Sequence, residues 1–503
     1  MTTLVKTGRW QGIALLGLVV LTSMFFGLLI GAELHLLILA FVALVAALPV
    51  LYVALFGFED RAGWLLLGNF GLMYVGQMAQ MKGVPIGYLM ELMIFACVLN
   101  SLRISGRLAL RDGATRTVLL LFVLYFAVTL LSTLLGRSQK MAAIWQFQYN
   151  LKLPLMFALG MLMLPSERML RVLRFIVAGS WLYFLPMLAL EIAAPGFFYK
   201  LVGFQQDIHV NPLLGFGGRL QGPFAHSGYL AMTCGLLSAA ALIEWMQVKR
   251  LRWLVLAGIY CGMVLLSGQR QEFFSLVLVY ALFAVSTGRR HIGWVVVAGA
   301  LLVVAGVFAA LYMDHNPLLQ LELEWGAGRD SQLSERAILT RKGLQVADQY
   351  FPLGSGLGTY GGAGAQKFDQ SLFLDLGFSR YWWFRQGMFI VDTFWPSIVA
   401  ESGYFGALLL MAVFAAIWLT LARRCREATG QTRALLLLAL AALTLILSNS
   451  PTSAVIGDPR GTFVFWLIIG CAWRASVDNR ATSAAPIRHT ARTDFAYHPS
   501  TPH

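Results

Sequence analysis

The chain is a succession of apolar runs separated by short polar turns. A membrane-spanning helix needs about 20 consecutive apolar residues. Fourteen stretches approach that length, near residues 11–31, 34–57, 63–80, 84–102, 117–135, 142–164, 172–194, 226–246, 252–268, 271–287, 292–313, 392–422, 433–448 and 461–475. The ninth and tenth are short and joined only by Ser267-Gly268-Gln269-Arg270, so they read as tilted spans or as a broken pair. One stretch breaks the rhythm. From Asp314 to Val391 the chain is polar, aromatic and glycine-rich, and long enough to fold outside a bilayer. The next run opens with Asp392-Thr393-Phe394-Trp395 and carries Glu401-Ser402-Gly403. Charge at the mouth of a span or inside it is costly and usually functional.

Composition agrees with the pattern. The 503 residues are 58% hydrophobic and 12% charged, with mean hydropathy +0.70, whereas soluble domains carry about 25% charge. The expected fold is an all-α polytopic membrane protein with about fourteen transmembrane helices and one large external loop. A net charge of +14 would suit a nucleic-acid binder, but the basic residues fall in short loops between apolar runs. Arg103, Arg107, Arg111 and Arg116 mark one such loop; Arg168, Arg171 and Arg174 the next; then Lys249, Arg250 and Arg252, then Arg289 and Arg290, then Arg423, Arg424, Arg426 and Arg433. They alternate in phase with loops poorer in Lys and Arg, which is the positive-inside pattern. Both termini are therefore expected in the cytoplasm. The 195–225 loop and the 314–391 segment fall on the far side, and nucleic acid is excluded as a partner.

The expected organisation is helices 1–11 over 1–313, the large loop over 314–391, helices 12–14 over 392–475, and a disordered cytoplasmic tail over 476–503, which is polar and lacks apolar periodicity. Lys6 and Arg9 precede the first run without a clear small-residue cleavage site, so it reads as an uncleaved span. Of five cysteines, Cys97, Cys234, Cys261 and Cys471 lie in or beside apolar spans, Cys425 lies in a basic loop, and none lies in the long polar segment. No disulfide framework is readable. There is no Cys/His metal spacing, no HExxH, no GxSxG, and no Asp-x-Asp pair in an external loop, so neither a metal nor a cofactor is expected.

Several polar positions still need an explanation. Arg219 and His226 flank the entry to the eighth span within a Gly/Pro turn; interfacial anchoring of the arginine competes with a functional role. Arg270 sits in the turn between the two short spans. It either pairs with Glu272 or lipid phosphate, or binds an anion arriving from the lipid, for which its planar, permanently charged fork is suited. In the long segment Asp330-Ser331 reads as the cap of a helix of about twenty residues ending before Pro352, with Arg336, Arg341 and Lys342 on it. The Gly354-Ser355-Gly356-Leu357-Gly358 run completes no nucleotide fingerprint and reads as a tight turn. Tyr381-Trp382-Trp383-Phe384 reads either as a sugar-stacking platform or as an interfacial belt. Gln146, Gln148, Tyr149, Asn150 and Lys152 make the sixth span unusually polar, so that face should look into the bundle or a cavity. For Lys152 and for Glu191, structural pairing and substrate contact both remain open.

Four stretches together resemble the O-antigen ligase/polymerase superfamily, which includes the Wzy-type polysaccharide polymerases. They are Arg219-x-x-Gly222-x-Phe224-x-His226, Ser267-x-x-Arg270, Arg336 followed by Pro352-x-Gly354-x-Gly356, and Asp392-x-x-Trp395 leading to Glu401-x-Gly403-x-x-Gly406. They cover about 219–406, and their order is more specific than any one of them. The ligases of that family resemble one another in having His where this chain has Asp392, which favours a polymerase.

The resemblance implies a GT-C-like, metal-independent glycosyltransferase of the bacterial inner membrane. It would move a glycan from polyprenyl pyrophosphate to a second lipid-linked repeat unit at the periplasmic face, with chain-length regulator or export proteins as further partners. Arg219, Arg270 and Arg336 would hold the pyrophosphate. Asp392, with His226 as rival, would take the acceptor proton, with Glu401, Arg341 and Trp395 in support. Glu401, nine residues past Asp392, lies about 13–14 Å deeper along a helix and reads as a positioning group. An O-antigen-type ligase and, from a different class, a lipid-linked oligosaccharide flippase are the alternatives.

Overall fold

The structure is a computed structural model. It describes residue 70 and residues 112–162, 167–204, 218–286, 334–451 and 453–484. The first four expected spans (apart from Phe70), the eleventh, the 314–333 part of the polar segment, Asp330-Ser331 and the tail beyond 484 lie outside the described residues.

Among the described residues the fold is all helical. In order, the helices are α1 (Gly113–Leu135), α2 (Lys140–Leu162), α3 (Glu167–Gly179), α4 (Trp181–Ala193), α5 (Pro195–Val202), α6 (Ser227–Val248), α7 (Leu251–Leu266), α8 (Arg270–Ser286), α9 (Glu335–Gln349), α10 (Ala363–Phe368), α11 (Ser371–Asp375), α12 (Trp382–Arg385), α13 (Trp395–Glu427), α14 (Gly430–Asn449) and α15 (Pro459–Ala484). Among the described residues, five stretches are long and apolar enough to cross a membrane: Gly113–Leu135, Met169–Ala193, Ser227–Val248, Trp395–Glu427 and Gly430–Asn449. The turn Ser267–Gln269 separates α7 from α8, with Gly268 at φ 71°, so the ninth and tenth spans are two helices.

One large apolar core joins α1, α2, α6, α7, α8, α13, α14 and α15. Leu134, Leu135, Leu120 and Val123 on α1 remain exposed, as a lipid-facing helix requires.

The bundle has two chemically distinct ends. At one end Arg424, 2% exposed, donates to both oxygens of Asp112 (2.8 and 2.7 Å) and to Ser476 Oγ (2.9 Å). Burial raises the Asp112 carboxyl, and the Arg424 guanidinium more than offsets it, so Asp112 sits below its ordinary range. Arg174 meets Glu244 at 2.7 Å, and Arg433 donates to Ser286 O at 2.7 Å, at this same end. The opposite end carries the polar segment.

The described part of that segment, 334–391, is a compact cap. Ser334 Oγ accepts from Ala337 N (3.2 Å) and starts α9, a helix of 15 residues, shorter than the one expected from Asp330-Ser331. Its core is aromatic: Tyr360 stacks on Phe373 at 4.8 Å, and Phe378, Trp383 and Phe384 close round them. Trp383 and Phe384 are buried. They are therefore neither a sugar platform nor a membrane belt, because their faces are already used for packing; Trp382 alone of that run projects outward, 52% exposed.

The cap is wedged onto the bundle through a break in α13. Gly403 (φ 66°, ψ −175°) interrupts the helix, and the carbonyls of Ala400 and Glu401 turn to the glycine-rich run instead. Ser355 N donates to Ala400 O (2.8 Å), Gly356 N to Glu401 O (3.0 Å), and Ser132 Oγ of α1 also donates to Glu401 O (2.6 Å). The Glu401 side chain, 1% exposed, accepts from Tyr360 N at 3.1 Å. On α2, Gln146 Oε1 accepts from Gly364 N (3.1 Å), so the polar face of the sixth span looks at this run. A Cβ on Gly354 (φ 83°) would fall against Gly403 N and 2.6 Å from Ala400 O. The run is a packing wedge.

A paired substitution separates the wedge from ordinary backbone strain. Gly377 (φ 80°) has nothing near a would-be Cβ, so Gly377→Ala should cost about 1–2 kcal/mol from its left-handed backbone alone. Gly354→Ala adds the clash with α13 and should lower the unfolding midpoint in detergent much further. Equal shifts for the two would remove the wedge.

Candidate functional site

A cavity of about 520 Å³ opens at the cap end, within the about 300–1,000 Å³ usual for small-molecule sites. Five parts of the chain build it, the smallest being Pro451 just past α14. The turn before α6 supplies Arg219; the turn between α7 and α8 supplies Gln269, Arg270 and Gln271; the start of α9 supplies Ser334, Glu335, Arg336 and Thr340; and Phe389, Asp392, Trp395, Pro396 and Val399 lead into α13. Arg336, Thr340 and Leu344 recur every four residues, so one stripe of α9 faces the space. Arg341, one residue past that stripe, is exposed and does not line the cavity.

The three arginines named from the sequence thus converge with Asp392 and Trp395 on one space. Each is fixed differently. Glu191, 3% exposed, accepts from Gln221 N (3.1 Å), Gly222 N (2.8 Å) and Tyr199 Oη (2.6 Å). That carboxylate is a structural clamp holding the turn that carries Arg219. Gln269 Nε2 donates to Ser227 Oγ (2.6 Å), and Gln271 Nε2 to Ser448 O (2.8 Å), which pins the Arg270 turn from both sides. Arg336 Nε donates to Asp392 Oδ2 at 2.6 Å, and Trp395 Nε1 donates to Ser450 Oγ at 2.8 Å.

No protein-family model and no curated protein matches this chain.

Chemically, the cavity walls carry three guanidiniums against the carboxylates of Glu335 and Asp392. Charge-assisted hydrogen bonds from arginine to phosphate or carboxylate are the interaction such a surface makes best. Among the described residues no cluster of His, Cys, Asp and Glu could hold a metal ion.

His226 does not line the cavity. Its Nδ1 accepts from Gly228 N at 3.0 Å and caps α6. A neutral imidazole with Nδ1 accepting carries its proton on Nε2, so the outward nitrogen is a donor, and the ring is poorly disposed to act as a base. Behind it Tyr229, 5.9 Å away ring to ring, donates to Asp458 (2.8 Å), which also binds Arg460. Burial raises the Asp458 carboxyl, and the Arg460 guanidinium reverses the shift to below the ordinary range. Lys152 lies over the Tyr149 ring at 4.9 Å, away from the arginines' cavity.

Two features of the cavity escape the sequence pattern. Glu335 and the two glutamines beside Arg270 look like solvated polar residues there. Glu272 looks like Arg270's partner, yet it is 8% exposed and its Oε1 lies beside Gly228 at the start of α6, off the cavity wall. A glutamate inside an apolar run was the available signal.

The capping role of His226 is open to measurement. His226→Ala loses the acceptor and should cost about 0.5–2 kcal/mol of stability. His226→Asn retains a cap oxygen and should recover most of it in a thermal melt. If Asn is no better than Ala, the ring's role lies elsewhere.

Proposed function

We propose that this protein is a membrane glycosyltransferase of the polysaccharide-polymerase type. It transfers a glycan from polyprenyl pyrophosphate to a second lipid-linked repeat unit. The observation that carries the reading is the convergence of Arg219, Arg270 and Arg336, from three separate segments, with Asp392 at one end of an apolar helical bundle. A second support is the resemblance of the same four stretches to the O-antigen ligase/polymerase superfamily, with Asp rather than His at 392.

In this reading the chain has fourteen spans with both termini cytoplasmic, and the 314–391 segment is the large periplasmic loop of a GT-C-like fold in the bacterial inner membrane. The separation of the Arg424–Asp112 end from the cavity end accords with the alternation of basic loops. The donor's pyrophosphate enters from the lipid and meets the arginines. Arg336 exchanges Asp392 for a phosphate oxygen, which frees the carboxylate. The bond between the anomeric carbon and the phosphate oxygen breaks, and negative charge grows on the leaving pyrophosphate where fixed guanidiniums stabilise it. The acceptor hydroxyl attacks that carbon and passes its proton to Asp392 as general base. Glu401, which holds the glycine-rich run, positions the cap and takes no part in proton transfer.

Two experiments test this. In a cysteine-free background, Gln386→Cys should react with an impermeant thiol reagent in intact spheroplasts, and Thr429→Cys only after permeabilisation; the reverse pattern overturns the orientation. With purified full-length protein and lipid-linked repeat units, Arg270→Lys and Arg336→Lys keep the charge and lose the fork, so turnover should fall about 100-fold. Asp392→Asn should lose about 100-fold or more while donor binding persists. Full-length polymer from both lysine variants would sink the anion site, and normal turnover in Asp392→Asn would remove that residue from the chemistry.

A further inference from the structure

Phe389 is a bulky residue in a backbone conformation that bulky residues avoid. Its φ is 61°, and an aromatic side chain at positive φ is a steric outlier. Among the described residues, the left-handed positions other than Phe389 and Lys249 are glycines. Lys249 is the C-cap of α6, an ordinary place for this conformation. Gly387, two residues before Phe389, has φ 69°, so this stretch places glycine where only the turn matters. A phenylalanine kept at such a position needs a reason in its side chain. Strain of this kind survives only where the surroundings enforce it, and it gathers at ligand-binding sites.

The ring's neighbours supply the reason. Phe389 meets Trp383 of the cap core edge to face, at 6.2 Å and 76°. It is only half-buried, and it lines the arginine cavity. Its carbonyl accepts from Asp392 N at 3.1 Å, so one tight turn carries both the ring and the carboxylate assigned as base. Three residues past Asp392, Trp395 lines the same cavity from the bundle side. Its ring is held by Ser450 Oγ on Nε1 (2.8 Å) and by Phe414 edge to face (6.0 Å, 89°). Two rings, one anchored in the cap core and one in the bundle core, thus flank Asp392 along the chain and share its cavity. The carboxylate of Glu335 lies on the same wall.

We infer that Phe389 is a specificity-determining residue for the acceptor: its ring, with that of Trp395, is the surface on which the acceptor's sugar ring lies while the attacking hydroxyl meets Asp392. The inference rests on the glycosyl-transfer reading above and names how the same cavity recognises its second substrate. A sugar ring has an apolar face of C–H groups and a rim of hydroxyl donors. Aromatic faces match the first, and carboxylate oxygens match the second. The ring bearing the attacking hydroxyl must sit beside the base, and the Phe389–Asp392 turn puts an aromatic side chain there. The pyrophosphate belongs to the arginines, so Phe389 should not affect it. No bond forms or breaks at Phe389.

The test uses full-length protein in nanodiscs with lipid-linked repeat units as donor. The acceptor probe is the repeat-unit oligosaccharide released from its lipid and pyrophosphate. That molecule can accept a glycan and cannot donate one, so an extended soluble product reports the acceptor position alone. Phe389→Gly removes the ring and relaxes the backbone, whereas Phe389→Leu keeps apolar bulk without an aromatic face. Both should raise the KM for the released oligosaccharide about tenfold, the worth of one aromatic contact, and leave the Kd for inorganic pyrophosphate at its native value. Phe389→Trp should stay close to the native KM.

A native KM in the Gly and Leu variants overturns the inference. So does a loss of pyrophosphate binding that matches the rise in KM, because the ring would then only hold the cavity's shape. If kcat falls at unchanged KM, the ring does not bind the acceptor and the inference fails. Native protein that extends lipid-linked units but not the released oligosaccharide recognises the lipid, which also overturns it. Native protein that transfers no glycan at all overturns the proposed function and this inference together. Should neither ringless variant fold, saturation-transfer NMR on the native protein decides, since Phe389 is the phenylalanine of the cavity wall. Irradiating aromatic protons should attenuate the oligosaccharide's C–H signals, and deuterating the phenylalanine rings should weaken that transfer. Transfer unchanged by deuteration overturns the inference.

Discussion

The cap end of this protein depends on the break in α13 at Gly403. A helix that stops hydrogen bonding to itself inside an apolar bundle leaves carbonyls with no water to meet them, and each unsatisfied group there costs several kcal/mol. The glycine-rich run answers that need: Ser355 and Gly356 supply the missing N–H donors, and Ser132 supplies a hydroxyl from α1. Only glycine at 354 allows the two backbones to come so close. The same junction buries Glu401, whose carboxylate takes a backbone N–H of the run. A charged residue in a span here serves architecture.

The consequences reach the cavity through short connections. The run leads into Tyr360, whose hydroxyl donates to Leu339 O of α9 at 2.6 Å, so the wedge and the helix carrying Arg336 move as a unit. On the bundle side, Glu191 clamps the turn of Arg219, and Gln271 ties the turn of Arg270 to the end of α14. Each arginine is thus held by a different part of the fold. Like charges at close quarters repel, and convergence of three is tolerable only because rigid elements hold the carriers and Asp392 and Glu335 stand among them. The placement is also what an incoming anion needs, since the repulsion is relieved on binding.

The opposite end uses the same physics for stability. Arg424 is fully enclosed by Asp112, Ser476 and the Trp473 ring, 4.6 Å away. A buried pair of this kind gains little over a well-packed apolar pair, but removing one partner would strand a charge. It ties α1, α13 and α15 together at the end remote from the cavity, as the wedge ties α1, α2 and α13 at the other.

The sequence by itself determined the features set by local pattern: the helical class, the apolar stretches, the separation of a polar segment, and the identity of Arg219, Arg270, Arg336 and Asp392 as residues out of place for their surroundings. Apolar length and the position of charge along the chain are one-dimensional facts, and a bilayer reads them as such. Tertiary structure alone decided which of those residues share a cavity and which do not. Arg341 differs from Arg336 by five residues on the same helix and faces elsewhere. Trp383 and Trp382 are neighbours, one buried and one exposed. Glu272 sits two residues from Arg270, yet it is buried beside Gly228 while Arg270 lines the cavity. Such distinctions depend on the rotation of each helix about its axis and on the partner it packs against, and long-range packing sets both.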